Sequence, residues 1–509
     1  MNFFEELSTK TSFPVCYNLL PHYAAEGQKP DSLMDFVKEA LLDGRISSFF
    51  LSDHPLHPQR LSTLELTEEI LAAGGEPVIS LALTFDHRKT VREKLQQYYR
   101  AGVRQFLFVS GDYPAVTDNR QAKPVFDVDS VQMLMLLAEL GISKNPENFT
   151  ESQGDLAEEV NIIKGCAVSP FKKIESEQIW QYEKLKRKIA VGADFIITQP
   201  GFDMRKFDEL VRFCSLQNIT APLVANIFFI DRQAAQFVQS QNIPGVKIPD
   251  RLLHTLVEEA NDPHKAERTN LTRTAKTLAV LKGLGYNGAL IGGNSSDFST
   301  VKEVLDEVEK LQPDWQNFQI DLDYSDSLFY YFQQDSRPGL NSDRESPVDP
   351  KHFPSPLYSF SYFIDSLIYL PTGLLFKITG RLCHFCNDRR FWYSSIWLLE
   401  FLSKGPLYGC KMCGDCVLYA CGFRCYRSGC PKKMANGPCG GSVNGYCEVF
   451  PDKKLCFWVR VYKQLKGVSQ NITFTANPIP PRDNTLNKTS SWINFFLGRD
   501  HRKMHFKDN

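Results

Sequence analysis

A chain of 509 residues is long enough for two or three domains with sizeable hydrophobic cores. Its charge is balanced, with 58 lysines and arginines against 59 aspartates and glutamates. This balance argues against a protein that binds nucleic acid through overall positive charge. The first residues, MNFFEELSTKTSFPV, lack the basic stretch and long apolar run of a signal peptide. We therefore expect a cytoplasmic protein with no nucleic-acid partner.

From about residue 13 to residue 311, short apolar runs alternate with amphipathic helical segments. Helical segments such as 31–44, 89–102 and 183–192 end on glycine, the residue preferred just after a helix. Repeated strand–helix units predict a parallel sheet. The candidate strands are 15–20, 46–51, 77–83, 104–110, 162–168, 194–198, 222–229, 245–248 and 288–292.

This pattern predicts an α/β protein with a closed (β/α)8 TIM barrel of about 300 residues. The weakest of the candidate strands, 245–248, is then an irregular element. The alternative is an open doubly wound sheet, but no GxGxxG sequence opens a helix after the first strand.

The composition changes after residue 311. Residues 312–356 are rich in proline, serine and charge, which predicts a linker. The most apolar window, 357–376, is interrupted by Asp365 and Pro371. We interpret it as a buried or interface helix and expect no membrane span. The predicted domains are a barrel over 1–311, a linker over 312–356, and a helical, cysteine-rich domain over 357–509.

The carboxyl-terminal ends of the strands, where TIM barrels carry their active sites, hold small, polar or acidic residues. They lack a Ser–His–Asp pattern or a histidine cluster for a catalytic metal, and they suit a polar, ring-containing ligand. Asp112 can place a carboxylate at the barrel mouth or simply cap a turn. Gln199 can present its amide to a heterocycle or be satisfied within the protein. These strand-end residues are Asn18, Ser52, Asp53, Thr84, Gly111, Asp112, Ser169, Gln199, Asn226, Gly292 and Gly293.

Four segments in this order resemble the methylenetetrahydrofolate reductase family, over about residues 13–311. They are GDYPAVTDNRQAKPVFDVDSVQML, GCAVSP, KLKRKIAVGADFIITQPGFD and IPGVKIPD. The resemblance implies a flavin, FAD or FMN, that passes a hydride to 5,10-methylenetetrahydrofolate and forms 5-methyltetrahydrofolate.

Matching the motifs residue by residue implies a role for several side chains of the barrel. Asp112 matches an aspartate near the flavin and folate rings, Gln199 a folate-contacting glutamine, and Lys188 a flavin-phosphate lysine. With looser alignment, Ser52 and Thr84 fall among the flavin contacts. Gly111 would allow the backbone to approach the flavin closely.

The chain departs from the family at Asn18, where the family usually has a glutamate that is thought to supply a proton. An amide cannot act as a general acid. One hypothesis is that Asp53, His22 or Asp112 takes over this role. The alternative is a folate-binding scaffold, or a methyl-transfer partner, that no longer reduces its ligand.

Eleven of the 14 cysteines lie between Cys383 and Cys456. In a reducing compartment such density indicates metal binding rather than disulfides. Two consecutive CxxC steps in CKMCGDC supply thiolates that can converge on zinc or on an iron–sulfur cluster. The glycine-rich stretch GPCGGSVNGYCEV can wrap backbone N–H groups around a cluster or form a tight zinc knuckle.

This region, about 395–500, resembles the cysteine-rich C-terminal domain that is fused to, or partners, some methylenetetrahydrofolate reductases. The resemblance implies eight metal ligands, enough for two four-ligand sites, with Cys383, Cys386 and Cys421 additional. The implied ligands are Cys410, Cys413, Cys416, Cys425, Cys430, Cys439, Cys447 and Cys456.

Zinc and iron–sulfur clusters imply different roles for the cysteine-rich domain. Iron–sulfur clusters would relay electrons from a protein donor to the flavin, whereas zinc would only stabilise the domain. The consecutive CxxC steps favour iron–sulfur. The expected partners are the tetrahydrofolate substrate, a protein electron donor and a second copy of the chain.

Overall fold

The computed structural model describes most of the chain. The described residues are 2–9, 12–19, 31–53, 62–114, 122–139, 161–241, 245–293, 297–324, 328–337, 339–347, 354–369, 371, 374–466 and 477–502.

Eight parallel strands form a closed barrel in chain order, which confirms the predicted fold class. Val15 of the first strand pairs with Ala289 of the last and closes the barrel. Residues 245–249 form no strand, so the weakest of the nine candidates is irregular. The barrel strands are β1 (Val15–Asn18), β2 (Ile46–Ser52), β3 (Pro77–Ala82), β4 (Gln105–Val109), β5 (Ile163–Val168), β6 (Phe195–Thr198), β7 (Leu223–Phe228) and β8 (Gly288–Gly292).

Amphipathic helices surround the barrel and bury their apolar sides against it. Gly102, with positive φ, ends α4 as the sequence predicts, and Gly285 ends α10 in the same way. The helices of this half are α1 (Phe3–Ser8), α2 (Asp31–Asp43), α3 (Thr63–Ala72), α4 (Arg88–Ala101), α5 (Ser130–Glu139), α6 (Glu175–Ala190), α7 (Met204–Leu216), α8 (Arg232–Gln241), α9 (Asp250–Glu259), α10 (Pro263–Leu284) and α11 (Phe298–Leu311).

The segment predicted as a linker begins with residues that pack on the barrel. A short hairpin of β9 (Phe332–Gln334) and β10 (Asn341–Glu345) lies beside α7. Phe332 joins the barrel's hydrophobic core, and the buried Lys206 ammonium donates a hydrogen bond to the Phe329 carbonyl at 2.6 Å. The composition of the segment did not predict this packing, because only a few aromatic side chains and backbone groups are responsible for it.

The C-terminal half consists of short helices around the cysteines. The apolar window 357–376 is split between two helices, α12 (Pro356–Tyr369) and α13 (Leu374–Asn387). In the described part of the chain no helix is long and apolar enough to cross a membrane. The remaining elements are α14 (Arg390–Tyr408), α15 (Tyr426–Gly429), β11 (Tyr446–Cys447), β12 (Phe450–Leu455), α16 (Phe457–Lys466) and α17 (Ser491–Phe496).

The cysteine-rich domain packs directly on the barrel through α16 and α6. The rings of Trp180 on α6 and Trp458 on α16 are both fully buried, with centroids 4.6 Å apart. Edge-to-face aromatic pairs of this kind add to the free energy gained by burying their surface. The two halves therefore share a hydrophobic core.

Candidate active site and cysteine centres

A cavity of about 230 Å³ lies at the barrel mouth, beneath the cysteine-rich domain. The ends of β4, β5 and β6 form one wall, and the loop from Pro438 to Gly441 forms the other. Of the predicted site residues, it brings together Gly111, Asp112, Lys188, Gln199 and Cys439. The lining also includes Ser110, Ser130, Ser169, Gln181, Lys184 and Glu448.

Gly111 makes a tight turn after β4 that directs Asp112 toward the cavity. Its φ is +73°, and a Cβ atom there would lie only 2.1 Å from the Thr84 Oγ1. Thr84 is fully buried, and its hydroxyl donates a hydrogen bond to the Asp112 carbonyl at 3.1 Å. Thr84 therefore holds the backbone of the turn.

Two buried side chains from the cysteine-rich domain, Lys432 and Glu448, form an ion pair beside Asp112. The Lys432 ammonium also donates a hydrogen bond to the Gly111 carbonyl at 2.7 Å. Although burial disfavours the charged ammonium, Glu448 holds the pKa of Lys432 above its ordinary value. The sequence did not predict either residue, because both lie more than 300 positions after Asp112 in the chain.

The Asp112 carboxyl has a raised pKa. Burial raises its pKa to about 6, the Lys432 charge opposes this rise, and the Glu448 charge adds to it. A buried carboxyl with a pKa near the working pH can donate and accept protons. The geometry thus fits Asp112 for acid–base chemistry.

Lys188 and Gln199 line the side of the cavity that α6 and β6 form. Burial lowers the pKa of Lys188 to about 8, and its ammonium donates to the Ala167 carbonyl. The buried Gln199 Oε1 and Ser169 Oγ have no hydrogen-bond partner among the described residues. Buried polar atoms are normally paired, so these two fit a ligand that supplies the missing partners.

Three other predicted residues lie away from this cavity. Asn18 ends β1 and Ser52 ends β2, and neither contributes to the cavity lining. Asp53 pairs with the Lys94 ammonium at 2.9 Å and accepts a hydrogen bond from the Tyr98 hydroxyl. It is therefore engaged away from the site. The other acid candidate, His22, lies outside the described residues.

Buried polar contacts fix the loop over the barrel mouth. The Asp129 carboxylate accepts hydrogen bonds from the backbone N–H groups of Ala435 and Asn436, at 3.0 and 2.8 Å. The Lys184 ammonium donates to the Pro438 carbonyl at 3.0 Å. Because these bonds join charged groups to backbone atoms away from water, they hold the loop's position closely.

The eight implied ligands separate into two groups of four. In the first group, the pKa of Cys410 and of Cys413 is raised, mainly by burial. The nearby charges of Cys416 and Cys425 raise both values further. In the second group, Cys430 and Cys447 act in the same way on Cys456.

Cys439 completes the second group, because its thiol interacts with Cys430 and Cys456. The four-residue helix α15 separates Cys425 of the first group from Cys430 of the second, so the groups are neighbours. All 14 cysteines are free thiols, as the metal hypothesis requires.

In the described part, the only three candidate ligand atoms that lie within 4.8 Å of one another belong to Asp415, Asp500 and His501. The additional Cys421 is fully buried beside both groups, whereas Cys383 and Cys386 lie on α13.

The fold and the site together define a TIM-barrel protein whose mouth is covered by a cysteine-rich domain of the same chain. Residues 59–285 match the family model for methylenetetrahydrofolate reductase, and residues 398–485 match that for the methylenetetrahydrofolate reductase C-terminal domain. The chain therefore carries a methylenetetrahydrofolate reductase family domain fused to the C-terminal domain of that family. This confirms the resemblance seen in the sequence.

Solved structures match this chain at low similarity. An uncharacterized Clostridium thermocellum protein that binds two copies of 5-methyl-5,6,7,8-tetrahydrofolic acid is 12% identical, with a TM-score of 0.42 over 61% of this chain and 98% of that one. A 2,3-dimethylmalate lyase is 13% identical, with a TM-score of 0.31 over 61% and 84% of the two chains. Tryptophan synthase from M. tuberculosis is 12% identical, with a TM-score of 0.31 over 61% and 94%. Similarity this low has no bearing on function.

Proposed function

We propose that this protein interconverts 5,10-methylenetetrahydrofolate and 5-methyltetrahydrofolate with a flavin at the barrel mouth. The proposal includes iron–sulfur clusters in the cysteine-rich domain that exchange electrons with that flavin. The observation that carries it is one cavity lined by Asp112, Lys188, Gln199 and a cysteine of the second group, Cys439. Family membership supports the reaction class.

Each cavity residue has a task that its chemistry allows. The Lys188 ammonium holds a flavin phosphate, and the unpaired Gln199 oxygen accepts a hydrogen bond from a ring N–H of the folate. The bound flavin supplies hydride chemistry, which no side chain of the cavity can provide. The loop from Pro438 to Gly441 covers this wall and limits the access of water.

We assign the proton that Asn18 cannot supply to the carboxyl group of Asp112. Its raised pKa leaves a large protonated fraction near pH 6, and it lies in the same cavity as Gln199. Glu448 is a second buried carboxyl there, but it is engaged in an ion pair with Lys432. The substitution Asn18→Glu tests this assignment through methyltetrahydrofolate formation with a strong artificial reductant. An active parent that gains little from the substitution supports it, whereas a large gain from an inactive parent favours the folate-binding scaffold.

The two consecutive CxxC steps of the cysteine-rich domain favour clusters over single zinc ions. Cys439 of the second group lines the cavity, and the first group neighbours the second, so electrons from a protein donor would have a route to the flavin. We assign Cys410, Cys413, Cys416 and Cys425 to one cluster. Cys430, Cys439, Cys447 and Cys456 hold the other.

Metal analysis of anaerobically purified protein tests the cluster assignment. Iron and acid-labile sulfide should be present, and Cys410→Ser or Cys439→Ser should each remove about half of both. Cys383→Ser is the control, because this buried cysteine belongs to neither group and should leave the content unchanged. Zinc without sulfide would refute the electron route. Flavin binding is tested separately, by the yellow colour of the purified protein.

A further inference from the structure

Exposed apolar side chains concentrate on the three helices that precede the metal ligands. In the described part of the chain, 16 of the 23 exposed large apolar side chains lie between Leu357 and Leu407, on α12, α13 and α14. The whole barrel contributes few, such as Leu42 and Phe237. A globular surface normally scatters such residues singly, so this concentration calls for a partner.

The uncovered area is large for a protein surrounded by water. An aromatic side chain buries about 150–250 Å², and these side chains are exposed by 36% to 74%. Together they present on the order of 1,000 Å² of apolar surface, above the ~300–600 Å² of the largest patch on a typical monomer.

On α14 the uncovered face is broad and mainly apolar, with the exposed Ser394 and Ser395 among its apolar side chains. It carries Phe391, Trp392, Leu398, Leu399, Phe401 and Leu402. The opposite side holds the charged residues of the helix interior, Glu400 and Lys404, which pair with each other at 2.9 Å. The helix therefore turns its apolar side outward and keeps its charged pair inside.

On α13 an exposed apolar stripe runs beside a basic one. Spacings of three and four residues place the apolar side chains on one side of the helix, and basic side chains follow at the same spacing on the adjacent side. The apolar stripe is Leu375, Ile378, Leu382 and Phe385, and the basic stripe is Lys377, Arg381 and His384.

The charge of this surface decides between occupants. Between residues 356 and 408, the described exposed ions are four cations, Lys377, Arg381, Arg389 and Arg390, and one anion, Asp388. A twofold interface with a second copy would present this same patch from both sides, which leaves most of the cations without anions to pair. A membrane with anionic headgroups offers both an apolar layer and negative charge.

We infer that α12, α13 and α14 dock the protein on the surface of a membrane that contains anionic lipid. The apolar stripes enter the boundary between headgroups and acyl chains, and the four cations contact the headgroups. The helices lie on the membrane and do not cross it, in keeping with their length and hydropathy. This inference is independent of the reaction at the barrel mouth.

Flotation of the full chain with vesicles tests the inference. Wild-type protein should bind vesicles of phosphatidylcholine with added phosphatidylglycerol more strongly than vesicles of phosphatidylcholine alone, and salt should weaken the binding. Phe385→Ser should reduce binding about tenfold, because it removes half-exposed apolar surface. Phe237→Ser on α8 is the matched control, since the two rings are 47% and 48% exposed.

A second pair of variants tests the charge. Arg381→Gln with Arg390→Gln should weaken binding to the anionic vesicles about fivefold per arginine. The exposed Arg92 and Arg100 on α4 provide the control pair. Because all these side chains are exposed, thermal unfolding should confirm that the variants remain folded.

Three results would overturn the inference. The first is that wild-type protein binds no vesicle, and the second is that the control variants lose as much binding as the test variants. The third is a stable dimer in lipid-free buffer that Phe385→Ser converts to a monomer, as measured by sedimentation. That result would assign the apolar face to a second copy of the chain.

Discussion

The Lys432 ammonium of the cysteine-rich domain donates a hydrogen bond, 2.7 Å long, to the Gly111 carbonyl at the end of β4. This bond joins the cysteine-rich domain to the turn that carries Asp112, so the two domains meet at the candidate active site.

Gly111→Ala should destabilise the barrel mouth. The new Cβ would meet the Thr84 Oγ1 at 2.1 Å, in a backbone conformation that alanine rarely adopts. We expect a loss of about 2–4 kcal/mol in the free energy of unfolding, measured with urea. Gly74→Ala is the control, because its φ of +85° is similar and nothing lies within 4 Å. It should cost only about 1 kcal/mol, and equal losses would contradict the steric argument.

Asp112→Asn should change how stability depends on pH. In the folded protein burial raises the pKa of Asp112 from 3.8 to about 6, so the folded state binds this proton more tightly than the unfolded state does. As the pH rises from about 4 to about 6, the wild-type protein therefore loses about 1–3 kcal/mol of stability. The asparagine variant has no such carboxyl and escapes this loss. Thermal unfolding at several pH values measures the difference at matched flavin content.

The same substitution should abolish the proton transfer that we assign to Asp112. The wild-type rate should fall as the pH rises above about 6, because the protonated carboxyl disappears. An asparagine variant with an unchanged rate and pH profile would show that another acid supplies the proton.

Lys188→Met should weaken flavin binding. If its ammonium contacts a flavin phosphate, its removal costs a charged hydrogen bond and lowers affinity about 10- to 100-fold. Titration of the protein with flavin, followed by flavin fluorescence, measures the dissociation constant. Lys186→Met is the control on the same helix, because that side chain is partly exposed and pairs with Glu183 at 3.1 Å. Equal affinity in both variants would remove Lys188 from the flavin site.

Lys404→Met should destabilise the cysteine-rich domain by about 3–5 kcal/mol, because it leaves the buried Glu400 carboxylate without its cation. Glu400 also accepts a hydrogen bond from the Ser490 hydroxyl at 2.6 Å, which ties α14 to the start of α17. The double variant Glu400→Gln, Lys404→Met removes both charges and should recover most of the loss. Urea unfolding of the three proteins measures the coupling. A double variant as unstable as Lys404→Met would show that lost packing, rather than the unpaired charge, is the cause.

The sequence by itself determined the barrel, because alternating apolar strands and glycine-ended helices are local patterns that each segment carries. The sequence also showed that most cysteines lie close together, and the resemblance to the C-terminal domain implied which of them bind metal. Strand ends of a barrel converge at one mouth, which pointed to Asp112 and Gln199. Lys188 lies on α6 and was predicted from the family resemblance alone.

Only the tertiary structure decided how the two domains meet. Lys432 and Glu448 reach the barrel mouth through contacts between residues far apart in the chain, and no local pattern marks such partners. The packed hairpin within the predicted linker escaped notice for the same reason. The uncovered faces of α12, α13 and α14 became visible only when the fold showed which sides of the helices were already buried. Periodicity tells which residues share a side of a helix, whereas burial depends on what packs against that side.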